Sequence, residues 1–184
     1  EDYKKKGAIF YDSAKEVLEK SKIILKTDNS FNQNISSINE GSVIIGQFDP
    51  LLDKEILNKL IGKKIKLFSL NLLPRITRAQ SMDVLSSQAN LAGYRAVIES
   101  VKEFGKAVPM MMTAAGTITP AKVLVIGAGV AGLQAIATAK RLGAIVSATD
   151  VRSAAKEQVE SLGGKFLSVE GSENLETGGG YAKE

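Results

Sequence analysis

The sequence predicts an α/β protein built as two units with mostly parallel sheets. Short apolar runs alternate with helical repeats along the chain. Residues 71–80 and Pro109–Pro120 interrupt that alternation with proline, glycine and polar residues. A glycine-rich turn beginning at Gly127 then joins an apolar run directly to a helical one.

Asp12–Lys20 reads as a short amphipathic helix with Ala14, Val17 and Leu18 on one face. Lys22–Lys26 (KIILK) reads as a buried strand, and Val43–Ile45 is a second apolar run. Asp53–Leu60 has helical spacing with Ile56, Leu57 and Leu60 inward, and Lys64–Leu70 alternates like a strand. Pro74 sits in a polar connection. From Ser81 to Phe104 a proline-free helical pattern runs to Gly105, with Ser81 and Asp83 placed to cap its start. Beyond Pro120, Lys122–Ile126 (KVLVI) reads as a buried strand and Val130–Leu142 as a helix of small residues. Ala144–Thr149 follows as a strand, Ser153–Leu162 as a helix and Lys165–Val169 as a strand. Gly171–Glu184, with three consecutive glycines, is expected to be a mobile loop. These elements divide the chain into a first unit at residues 1–74, a linking loop at 75–87 and a second unit at 88–184.

Composition narrows the chemistry. With 44% hydrophobic residues the chain can bury a core. The net charge of +4 is divided evenly between the halves rather than gathered into a patch, which argues against nucleic acid as a partner. No cysteine is present, so disulfides, thiolate nucleophiles and Cys-based metal sites are excluded. No histidine is present either, which removes the commonest general base and metal ligand. Reactivity must come from a cofactor or from carboxylates, amides and hydroxyls. The uncharged run Val123–Ala139 contains three glycines and is short for a bilayer span, so no direct membrane insertion is expected. The opening Glu1-Asp2-Tyr3-Lys4 lacks a signal-like apolar run, and the absence of an initial Met suggests that the native start lies elsewhere.

Gly127-Ala128-Gly129-Val130-Ala131-Gly132 fits the G-x-G-x-x-G pattern of dinucleotide binding. The pattern alone is weak, but here it follows a strand and opens a helix. Gly127 would allow a sharp turn, Gly129 a close approach to pyrophosphate, and Gly132 tight helix packing. Val130 and Ala131 open the helix whose free N–H groups and dipole would face the phosphates. Asp150 ends the next strand, where an acid accepts from the adenosine ribose hydroxyls and repels a 2′-phosphate. Val151 and Arg152 follow it, and Arg152 could instead recruit such a phosphate. Asp150 outweighs it, so NAD(H) is expected over NADP(H). By their β/α alternation both units read as Rossmann-like. The alternative is a glycine-rich turn without a ligand.

Arg75, Gln80, Asp83 and Ser86 form a second group on the connection and the first turn of the long helix. By pattern alone they fit a solvated linker with a capped helix better than a site. Met110-Met111-Met112 reads as packing rather than a site.

Pro74–Val97 (PRITRAQSMDVLSSQANLAGYRAV), MTAAGT, AKVLVIGAGVAGLQAIATAKRLGA, TDVRSAAKEQVESLGGKF and GGGYAKE together resemble the alpha subunit of proton-translocating NAD(P)+ transhydrogenases, within the alanine dehydrogenase/transhydrogenase family. The resemblance is dense from Pro74 to Phe166 and loose before it. It implies that NADH bound here passes hydride to NADP+ held by a separate domain, coupled to proton movement through a membrane domain. It places Arg75, Gln80, Asp83 and Ser86 around the nicotinamide, and Gly180 and Tyr181 on a loop closing over the nucleotide. It implies a homodimer, peripheral on the cytoplasmic (or matrix) side of an inner-membrane complex. Family members begin earlier and extend past Glu184, so both domains would be incomplete here. Residues 27–48 match poorly and carry no functional expectation.

Two alternatives use the same fold. An alanine dehydrogenase would need a histidine near its 2-oxo acid, and none exists. A non-catalytic NAD-binding sensor would need the glycine turn but not the group at 75–86. Fold alone cannot separate these.

Overall fold

A computed structural model describes residues 1–27, 34–49, 54–74 and 76–168. The chain divides into two compact units, Glu1–Val84 and Leu85–Glu184.

The first unit opens with a single helical turn, α1 (Asp2–Lys5), which the sequence pattern does not announce. In α2 (Ala14–Lys20) the Ser13 hydroxyl accepts the Glu16 N–H at 3.3 Å, so the cap sets the start after Asp12. Three parallel strands follow in spatial order β1 (Ile23–Lys26), β2 (Val43–Gly46) and β3 (Lys66–Ser69), with Ile24 opposite Ile44 and Ile44 opposite Leu67. Strand β1 is not buried as expected. Among the described residues it lies at the sheet edge, with Ile24 inward and Leu25 76% exposed. Central β2 buries Ile44 completely, and α3 (Lys54–Gly62) places Ile56 and Leu60 in the same core. Ile35, Ile38 and Phe48 complete that core, although none lies on a regular element that the sequence pattern marked.

A lysine organises the loop beneath this core. The Lys63 ammonium donates to the carbonyls of Ile35 (3.0 Å), Ser36 (2.6 Å) and Ile38 (2.8 Å). Its three donors are thereby used around one 3₁₀ segment, Ile35–Ser37.

The expected polar connection contains two 3₁₀ segments, Leu70–Leu72 and Thr77–Met82. Ser81 lies inside the second, so the long helix α4 starts later than expected, at Val84, and runs to Phe104. Gly105 at φ +62 ends it.

In the second unit, the punctuated stretch holds an antiparallel hairpin that the sequence pattern concealed, β4 (Met111–Thr113) with β5 (Gly116–Ile118). Every residue of both strands is exposed, so no inward–outward alternation was available to betray them. Met110, Met111 and Met112 are exposed rather than packed. Strands β6 (Lys122–Ile126), β7 (Ile145–Thr149) and β8 (Lys165–Phe166) form a parallel sheet in that order. Helices α5 (Val130–Arg141) and α6 (Ala155–Ser161) connect them. Ile136, Val146, Ala148 and Val159 are the centre of the core. Strand β6 is half-buried rather than buried, with Ile126 81% exposed, because β6 is an edge of the sheet among the described residues.

Among the described residues no helix is long and apolar enough to cross a membrane. None of them forms a group of three or more acids that could hold a metal.

Candidate functional site

The site grows out of strand register. Parallel pairing sets Ile126 opposite Thr149, so the turn leaving β6 and the residue ending β7 emerge side by side. The Gly127 N–H continues the ladder by donating to the Thr149 carbonyl at 2.8 Å. Gly127 then turns at φ +91, a conformation costly for any residue with a Cβ. Gly129 stands before the first turn of α5 with extended backbone, and Val130 and Ala131 lie within that turn.

Each glycine of the motif answers a different constraint. A Cβ at Gly132 would sit 1.8 Å from the Gly127 carbonyl oxygen, so this glycine closes the turn against its own helix. The sequence pattern assigned it to helix–strand packing; the nearest obstacle is instead the turn itself. A Cβ at Gly129 would meet nothing within 4 Å. Its bareness serves no contact among the described residues, which leaves room for a ligand to approach the backbone. A further glycine contributes from α4. A Cβ at Gly93 would lie 2.0 Å from the Ala131 carbonyl oxygen, so α4 crosses directly over the first turn of α5. Sequence reasoning missed this residue because an isolated glycine in a helical pattern carries no partner information.

Asp150 reaches back across this turn. Its Oδ2 accepts the Ala128 N–H at 2.6 Å and its Oδ1 accepts the Arg152 N–H at 2.8 Å. The Arg152 guanidinium clasps the same carboxylate, Nε to Oδ1 at 2.8 Å and Nη2 to Oδ2 at 2.9 Å. The Arg152 side chain, hydrogen-bonded to it, is the main cause that holds the Asp150 carboxyl at about 2 instead of the usual 3.8. Burial opposes that shift, and the backbone N–H groups of Arg152 and Ala128 add to it. The side chains of Asp150 and Arg152 are 6% and 19% exposed. Arg152 thus faces inward onto Asp150. The D-x-R spacing was legible, but the bridge from Ala128 required the register of β6 and β7.

The predicted residues separate into groups. Gly127, Gly129, Val130, Ala131, Gly132, Asp150 and Arg152 surround the end of β6, and Val151 follows Asp150 with its side chain exposed. Gln80 is exposed in the 3₁₀ segment, and its carbonyl accepts the Asp83 N–H at 3.2 Å. Ser86 lies in the first turn of α4. Arg75 lies outside the described residues, as do Gly180, Tyr181 and the rest of the expected loop Gly171–Glu184.

The residues around the turn fit a dinucleotide: open space before bare Gly129 backbone, a helix start behind it, and a carboxylate at the neighbouring strand tip. Comparisons with known proteins agree on lineage. The model of the alanine dehydrogenase/PNT N-terminal domain matches residues 1–92, and that of the C-terminal domain residues 96–178. An NAD(P) transhydrogenase alpha subunit of Rhodospirillum rubrum, the first of the pieces into which that subunit is divided, is 54% identical, over 97% of this chain and 48% of the relative. Its counterpart from Rickettsia prowazekii is 50% identical, over 100% and 49%. The solved transhydrogenase of Sinorhizobium meliloti superposes with a TM-score of 0.84 at 55% identity, over 92% of this chain and 49% of that one. An L-alanine dehydrogenase shares the fold at a TM-score of 0.70 and 20% identity, over 90% and 47%. The chain spans about half the length of the relatives it matches.

Proposed function

We propose that this chain, which belongs to the alanine dehydrogenase/PNT family, is the NAD(H)-binding part of a proton-translocating transhydrogenase. The observation that carries the reading is Asp150, held ionised at the tip of β7 beside the open glycine turn. A fixed anion there favours a ribose diol and disfavours a 2′-phosphate. Gly127, Gly129, Val130, Ala131 and Gly132 would hold the pyrophosphate, with Asp150, Val151 and Arg152 around the adenosine. When bound, NAD(H) supplies the hydride.

This chain's own residues supply placement. The N–H groups opening α5 orient the phosphates without moving, because Gly132 and Gly93 fix that first turn. Arg75, Gln80, Asp83 and Ser86 would position the nicotinamide end and keep water from it, with Gly180 and Tyr181 closing over the nucleotide. No general base would be required of a chain without histidine, since hydride passing directly from NADH to NADP+ on a partner domain would need no proton from it. The partners are that domain and a membrane domain coupling the transfer to proton movement. The subunit would act as a homodimer, peripheral on the cytoplasmic or matrix face of the inner membrane.

Nucleotide choice tests the reading. In the full-length subunit NADH should bind more tightly than NADPH, and Asp150→Ala should weaken NADH by about 1–3 kcal/mol. Equal dissociation constants for the two nucleotides would exclude the proposed role of Asp150.

A further inference from the structure

The Asp150 carboxylate that the proposed function assigns to ribose recognition is already filled. A carboxylate offers about four lone-pair positions. The Arg152 N–H and Nε take Oδ1, and the Ala128 N–H and the Arg152 Nη2 take Oδ2, all between 2.6 and 2.9 Å. Two of these donors are backbone groups of the turns on either side, fixed by the register of β6 and β7. The other two belong to one side chain, which can leave.

We propose that Arg152 is a latch on the nucleotide site, clasping Asp150 until it yields the carboxylate to a vicinal diol. The inference rests on the reading of Asp150 as the ribose acceptor and adds how that acceptor is guarded. The exchange is matched in number, since a ribose diol brings two O–H donors in place of two guanidinium N–H donors. The backbone donors stay, so the carboxylate keeps its aim toward the turn throughout. A 2′-phosphorylated ribose has lost one hydroxyl of the pair and brings a dianion toward Asp150. It cannot complete the exchange. Arg152 is therefore a specificity-determining residue by competition, admitting ligands able to replace both of its contacts.

Competition has a signature that attraction lacks. If Arg152 served to draw in the anionic nucleotide, Arg152→Gln would weaken NADH. A latch predicts the opposite: Arg152→Gln tightens NADH by about threefold or more, the order expected when one competing ion pair is removed. The same variant without ligand should unfold at a lower temperature, because Asp150 loses the guanidinium and keeps only its backbone donors. NADPH should gain nothing. Arg152→Lys, which keeps the charge but cannot clasp both oxygens, should tighten NADH to a lesser extent. The measurement is calorimetric binding of NADH and NADPH to the full-length subunit, set beside thermal unfolding without ligand. Asp150→Asn separates the latch from the ribose site. If Asp150→Asn weakens NADH while Arg152→Gln leaves it unchanged or weaker, the latch is wrong and the ribose site stands. If Asp150→Asn leaves NADH affinity intact, the ribose site is wrong and the latch falls with it. An equal gain for NADPH on Arg152→Gln would show a plain steric block and also overturn the latch.

Discussion

At the residue scale, the glycines of the turn make separable claims. Gly129 has open space where a side chain would go, so Gly129→Val should leave the fold intact and abolish NADH binding through contact with the pyrophosphate. Circular dichroism checks the first half and calorimetry the second; retained micromolar binding would show that the turn does not hold the ligand. Asp150 makes a claim about pH. Its carboxyl sits at about 2 in the folded chain against a usual 3.8, so its ionised form favours folding above about pH 4 and that contribution is lost as pH falls toward 2. Acid unfolding of wild type and Asp150→Asn, followed from about pH 5 to pH 2, should show the two stabilities converging as acid is added. A gap that is independent of pH would contradict the bridged carboxylate.

These residues were legible because the G-x-G-x-x-G pattern directly follows one apolar run and the acid 18 residues beyond Gly132 directly follows the next. The partners of Asp150 were not. Ala128 comes into reach only when Ile126 pairs with Thr149, and a sequence carries no register between strands separated by a helix.

At the element scale, local signals succeeded wherever the chain follows its own period. Helices α3 and α5 and strands β2 and β7 fall close to their expected positions, because their apolar spacing is set by burial on one side. Three of the misses share one cause. The hairpin β4–β5 and the outer faces of β1 and β6 are exposed among the described residues, so their apolar residues gave a misleading pattern. Lys63 illustrates a further limit. It falls between the expected helix Asp53–Leu60 and strand Lys64–Leu70 and carries no expectation, yet its ammonium gathers carbonyls 25 to 28 residues away. Lys63→Met should take the ammonium from those carbonyls, of which Ile35 still accepts the Ile38 N–H, and cost the first unit about 1–3 kcal/mol, measured by urea unfolding. A change near zero would mean that water replaces the ammonium without loss. Gly93 makes the matching claim for α4. Gly93→Ala forces a methyl group against the Ala131 carbonyl, and should destabilise the second unit by about 1–3 kcal/mol while weakening NADH. Unchanged stability would show that α4 moves away freely.

At the scale of the whole molecule, each unit holds a small parallel sheet with helices, and the relatives from Rhodospirillum rubrum and Rickettsia prowazekii are about twice as long as this chain. The proposed division of labour is that the glycine turn and Asp150 bind, while Gln80 and Asp83 position. That division places binding energy in the adenosine half and leaves the reacting end to be aimed. The most direct test is single-turnover hydride transfer from NADH to NADP+ in the reassembled transhydrogenase, measured for wild type, Gln80→Asn and Asp83→Asn beside their equilibrium NADH affinities. Transfer should slow at least tenfold, about 1.4 kcal/mol, with NADH affinity changed much less. Collapsed affinity with fast transfer within the bound complex would contradict this division, and would reduce Gln80 and Asp83 to a binding clamp.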